Sequence, residues 1–114
     1  MPDDMAMYER RVSMAVRTLN GKWTIHILCY MREGPVRLSQ LTRNIPAASK
    51  KALTASLRSL EAAQIVVRRD LSKTVLHVEY DFAEGVRASL ESLLDDLGDW
   101  ADAYQASRRS TEPQ

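Results

Sequence analysis

The chain has 114 residues, 45% apolar and 27% charged, which suits one folded domain and excludes wholesale disorder. No apolar run approaches the roughly 20 residues that span a bilayer. The start, Met1-Pro2-Asp3-Asp4, lacks a cationic stretch leading into an apolar one, so neither a membrane segment nor a secretory signal is expected. A single cysteine, Cys29, excludes an intramolecular disulfide and suits a reducing cytoplasm, and the net charge is only +1.

Asp3 or Asp4 is placed to cap a first helix over residues 5–19, in which Tyr8, Val12, Ala15 and Leu19 recur on one face. Asn20-Gly21 reads as its left-handed stop. A second helix is expected from Lys22 to Glu33, closed by Gly34-Pro35. Its apolar residues Trp23, Ile25, Ile27, Leu28, Tyr30 and Met31 are spread too broadly for a surface helix, which makes it the central core helix.

Leu38, Leu41 and Ile45 mark a short third helix ended by Pro46. Ser49 then caps a fourth, running to about Ala63, with Leu53, Leu57 and Leu60 inward. Residues 65–71 and 76–82 read as the two strands of a hairpin turning at Ser72-Lys73-Thr74. In the second, Leu76, Val78, Tyr80 and Phe82 alternate with His77, Glu79 and Asp81. After Gly85, the residues Val86, Leu90, Leu93, Leu97, Trp100 and Tyr104 form a heptad-like seam over 85–106, and a polar tail from Ser107 is expected to fray. The pattern is mainly α with a small β-hairpin wing: an α+β winged helix-turn-helix in one domain, with residues 37–63 as the helix-turn-helix and 65–82 as the wing.

The low total charge conceals a polarised distribution. Between Arg37 and Lys73 eight cations face only Glu61 and Asp70, a local balance of +6. Between Glu79 and Asp102 eight acids face only Arg87, a balance of −7. One part of the molecule attracts a polyanion and another avoids it.

Several stretches together resemble the HxlR-type family of bacterial winged-helix regulators. They are Gly21-Lys22-Trp23-Thr24, Gly34-Pro35-Val36-Arg37-Leu38-Ser39-Gln40-Leu41, Ile45-Pro46, Leu53-Thr54 with Leu57-Arg58-Ser59-Leu60-Glu61, Ile65-Val66-Val67-Arg68-Arg69, and Val78-Glu79-Tyr80. The resemblance covers about residues 21–100. It implies a homodimer that binds operator DNA and represses or activates transcription, with repression the expected output. The chain departs from the family at the wing, where Val75-Leu76 stand in place of a double proline. It departs again at the last helix, where Phe82-Ala83 replace Leu-Thr and leave Asp81 as the expected cap. Family members that sense oxidants commonly carry a cysteine near the N-terminus; this chain has none before Cys29.

For DNA reading, Lys50, Lys51, Thr54, Ala55 and Arg58 lie on the outward face of the fourth helix, with Ser49 at its cap. Lys50, Thr54 and Arg58 form a stripe at i, i+4, i+8. Arg37, Ser39, Gln40 and Arg43 suit phosphate contacts from the helix before it. Arg68, Arg69 and Lys73 suit the wing, although consecutive arginines on a strand face opposite sides, so one of the first two is enough. A dimer interface is expected from Tyr8, Val12, Leu19, Leu90, Leu93, Leu97, Trp100 and Tyr104.

Other constellations are sparser. His26 and Cys29 lie three apart on one helix, but two ligands are not a metal site, and His77 is the only other histidine. No metal or cofactor is expected, and no catalytic motif appears. A half-buried structural thiol is the plain reading of Cys29. A redox switch at Cys29, or a small-molecule effector site among Trp23, Tyr30, Trp100 and Tyr104, would make the protein a sensor of the same fold. A winged-helix module binding protein instead of DNA is the remaining alternative.

Overall fold

The computed structural model describes residues 4–111. Among them the elements run α1 (Asp4–Leu19), α2 (Thr24–Met31), α3 (Leu38–Asn44), α4 (Lys50–Ala62), β1 (Val66–Asp70), β2 (Val78–Phe82) and α5 (Arg87–Thr111), with a 3-10 turn at Glu84–Val86. They form two compact units that divide between Phe82 and Ala83.

The core of the first unit is assembled from single faces of three helices and the base of the hairpin. Ile27, Leu28 and Met31 of α2 meet Leu41 of α3, Leu53, Leu57 and Leu60 of α4, and Val66 and Phe82, all of them buried. Leucines at +4 and +3 leave the opposite side of α4 in water, so that face is polar without loss of packing. The helix α2 is less enclosed than its composition implies. Tyr30 is exposed and Ile25 half-buried, and the Tyr30 hydroxyl donates to the Asn44 carbonyl at the end of α3 at 3.4 Å.

Two local expectations fail at the first helix. The Asn20-Gly21 stop is not left-handed, since positive φ is confined to Gly34 and Gln64 among the described residues. Gly21 answers a different need: a Cβ there would collide with the Thr24 hydroxyl. The helix α1 already includes Asp4 as its first residue, and Asp3 lies outside the described residues. The left-handed stop falls instead at the end of α4. There Gln64 adopts φ 63°, its N–H donates to Glu61, and the Ile65 N–H donates back to Leu60 at 3.0 Å. That double closure is a Schellman ending with glutamine where glycine is usual.

The hairpin pairs Val66 with Phe82, Arg68 with Tyr80 and Asp70 with Val78. A third, one-residue partner joins it, because Val36 exchanges both backbone bonds with Tyr80 at 2.8 Å. The wing is therefore fastened to the residue just before the helix-turn-helix begins. Strand β2 is shorter than the alternation implies, and Leu76 lies outside it with 75% exposure. Asp81, expected to face solvent, is buried at 4%. Its Oδ1 accepts the Phe82 N–H at 2.8 Å and its Oδ2 faces Arg69 at 3.5 Å. A buried carboxylate is tolerated when it is paired in this way.

In the second unit the N-cap position of the 3-10 turn is Ala83, not Asp81. Helix α5 continues through Ser107 to Thr111, past the expected fray. Exposure rises along it: Leu90 is buried, Leu93 half-buried, and Leu97, Trp100 and Tyr104 exposed.

Candidate nucleic-acid interface

Helix α3 opens at Arg37, whose backbone N–H is accepted by Gln40 Oε1 at 2.7 Å. An arginine side chain has no acceptor to return, so this capping box is one-sided. The Arg37 guanidinium instead reaches the Leu76 carbonyl in the wing at 3.2 Å. Arg37 thus ties the start of the helix-turn-helix to the hairpin, and Gln40 positions Arg37. Ser39 and Arg43 lie exposed on the same short helix.

Helix α4 opens at Ser49, whose hydroxyl accepts the Ala52 N–H at 3.0 Å. Such a cap is worth about 1 kcal/mol, which offsets the few tenths that Lys50 and Lys51 cost against the helix dipole. Both lysines, Ala55 and Arg58 are exposed and Thr54 is half-buried. With Leu53, Leu57 and Leu60 inward, the outer face is cationic and otherwise short-chained.

The two wing arginines separate as strand geometry requires. Arg68, opposite Tyr80, lies on the hairpin face that carries Val66 and Phe82 into the core. Arg69 lies on the other face and pairs with Asp81. Lys73 is exposed in the connecting loop. That loop is braced by the Asp70 carboxylate accepting the Ser72 N–H at 2.9 Å, and by a 2.7 Å bond from Leu71 N–H to the His77 carbonyl. The Ser72 hydroxyl, then its backbone N–H, hold the Asp70 carboxyl below its ordinary pKa, with a smaller contribution from Arg68.

Arg37, Ser39, Lys50 and Arg68 converge on one cleft of about 430 Å³ between α3, the start of α4 and the wing. Thr42 and Tyr80 complete its polar lining, and none of its lining residues is acidic. Lys51, Arg58, Arg43 and Lys73 stand outside it. The sequence had no means of singling out Thr42, Leu76 or Tyr80, because the Val36–Tyr80 bridge that brings the wing over α3 is non-local. The aromatic residues considered for an effector site take no part in this cleft. Trp23 packs edge-on to His26, Lys22 sits over the Trp23 ring, and Trp100 stacks on Tyr104 at 5.2 Å within α5. Cys29 is exposed rather than half-buried, yet partial desolvation raises its thiol pKa.

This is the architecture of a winged helix-turn-helix DNA-binding transcription regulator. Comparison with known proteins makes the assignment specific: the HxlR-like helix-turn-helix family matches residues 18–109, and the chain belongs to that family. It is similar to an uncharacterized HTH-type transcriptional regulator of Methanothermobacter thermautotrophicus, 32% identical over 96% of this chain and 84% of that one. It is also similar to the HTH-type regulator YtcD of Bacillus subtilis, 38% identical over 82% of this chain and 73% of that one. Among solved structures, the redox regulator HypR in its reduced form has a TM-score of 0.78 at 27% identity, covering 88% of this chain and 98% of that one. Reduced YodB from B. subtilis has a TM-score of 0.71 at 30% identity, covering 81% of this chain and 89% of that one.

Proposed function

We propose that this regulator works as a homodimer in which α4 of each protomer enters the major groove and the wing follows the adjacent backbone or minor groove. The observation that carries this reading is the convergence of Arg37, Lys50 and Arg68, from three separate elements, on a cleft whose lining lacks any carboxylate. Cations gathered on a surface with no acidic residue in its lining suit phosphate. Beside them Thr54 and Ala55 are short enough to let α4 approach base edges, and Arg58 has the bidentate geometry for guanine. Two protomers related by a two-fold axis call for a pseudo-palindromic operator with half-sites about one helical turn apart. Repression by occupying that operator is the expected output.

The test replaces Lys50, Lys51 and Arg58 with alanine together and measures affinity for a duplex selected from random sequence. The expected loss is about a hundredfold or more, from one base contact and two phosphate contacts per protomer. Circular dichroism and the melting temperature should change little, because all three side chains are exposed. Undiminished affinity would remove α4 as the reading element and favour the protein-binding alternative.

A redox input of the kind named for HypR has less support in this chain. Its single thiol is raised rather than lowered in pKa, so thiolate, the reactive form, is scarce at neutral pH.

A further inference from the structure

We infer that the cleft between α3, α4 and the wing is also a receptor for a small amphipathic organic anion, an aromatic carboxylate in its simplest form, whose binding excludes DNA. Phosphate contacts need charge at a surface; they do not need an apolar lining. This half-open cleft has one. Its volume of about 430 Å³ falls within the range of small-molecule sites. Leu38, Leu76, Val78 and Tyr80 line it together with the three cations.

Arg37 is held in place by the Leu76 carbonyl at 3.2 Å, and a guanidinium has five donors, so donors remain for a carboxylate. Arg68 sits opposite Tyr80 in the strand register, which sets a second guanidinium beside the ring against which an aromatic body would lie. Leu76 is 75% exposed and would be covered by that body. The Ser39 and Thr42 hydroxyls supply neutral polar contacts at the same site, although the Thr42 hydroxyl already donates to the Ser39 carbonyl at 2.9 Å. The exclusion of DNA rests on the interface proposed above; the binding of the anion does not.

The test titrates the isotope-labelled full chain with 2-naphthoate, following backbone amides by nuclear magnetic resonance, with 2-naphthamide and inorganic phosphate as comparison probes. Saturable shifts are expected at Ser39, Thr42, Arg68, Val78 and Tyr80. Naphthamide, and naphthoate with the Arg68→Gln variant, should each bind about tenfold more weakly, as loss of a charge-assisted contact requires. Retained spectral dispersion shows that the variant is folded, and Lys50→Gln repeats the test from another element. Naphthoate should also weaken duplex binding in proportion to its occupancy. Shifts that do not saturate, that cluster elsewhere, or that phosphate matches at equal concentration overturn the proposal. Occupancy of the cleft with unchanged duplex affinity overturns the exclusion. Naphthoate bound by a chain with no affinity for any duplex leaves the receptor standing and removes the DNA interface.

Discussion

Gln64 carries an opposition of two small energies that a single substitution resolves. A side chain at φ 63° costs about 1–2 kcal/mol in the left-handed region, whereas glycine there surrenders about 0.4–1 kcal/mol of unfolded-state entropy. The first exceeds the second, so Gln64→Gly should stabilise the fold by about 0.5–1 kcal/mol. A urea unfolding curve checks this: the midpoint rises with an unchanged slope, and a lowered midpoint would show that the glutamine side chain holds the α4 ending in some other way. Elsewhere the same scale explains why neighbouring arginines differ. Arg68 and Arg69 are adjacent in sequence, yet one faces the cleft and the other neutralises buried Asp81.

At the scale of elements, local spacing was an accurate guide wherever one face of a helix met the core. Leu53, Leu57 and Leu60 read as a buried stripe and are one, and Ser49 read as a cap and accepts the Ala52 N–H. Two of the misreadings share a cause: each depended on a contact distant in sequence. Asp81 looked like a solvent-facing residue because alternation cannot reveal that the base of the hairpin is covered on both faces. Leu76 looked like a strand residue, but β2 begins at Val78 and Leu76 serves the Arg37 tether through its carbonyl. The candidate site was legible as a list of cations and not as a cleft. Its shape depends on the Val36–Tyr80 bridge, for which Gly34-Pro35-Val36 offers no periodic signal.

Across the whole molecule, the exposed apolar surface argues for a second copy. Helix α1 buries none of its residues, although most helical stability in proteins comes from packing an amphipathic face. Tyr8 and Val12 are exposed on it and Leu19 half-buried. On α5 the seam changes character: Leu90 is already covered at 8% exposure, while Trp100 is 65% exposed. In the proposed dimer the partner would cover the later part, Leu97, Trp100 and Tyr104, with Leu93 at its edge. Sedimentation equilibrium should report a dimer for the unmodified chain and a monomer for Trp100→Asp combined with Leu97→Asp. Since both α4 helices are needed to span an operator, the monomer should also lose most of its affinity for DNA. A double variant that remains dimeric would move the interface away from α5.

The most direct measurement exploits the lysines, of which the chain has four: Lys22, Lys50, Lys51 and Lys73. Three lie on the surface assigned to DNA, and the fourth sits over the Trp23 ring ahead of α2. Acetylating the protein with and without its selected duplex, and reading each lysine by mass spectrometry, should show Lys50, Lys51 and Lys73 protected by DNA and Lys22 unchanged. If Lys50 and Lys51 are as reactive in the complex as in the free protein, α4 does not face the duplex and the account is wrong.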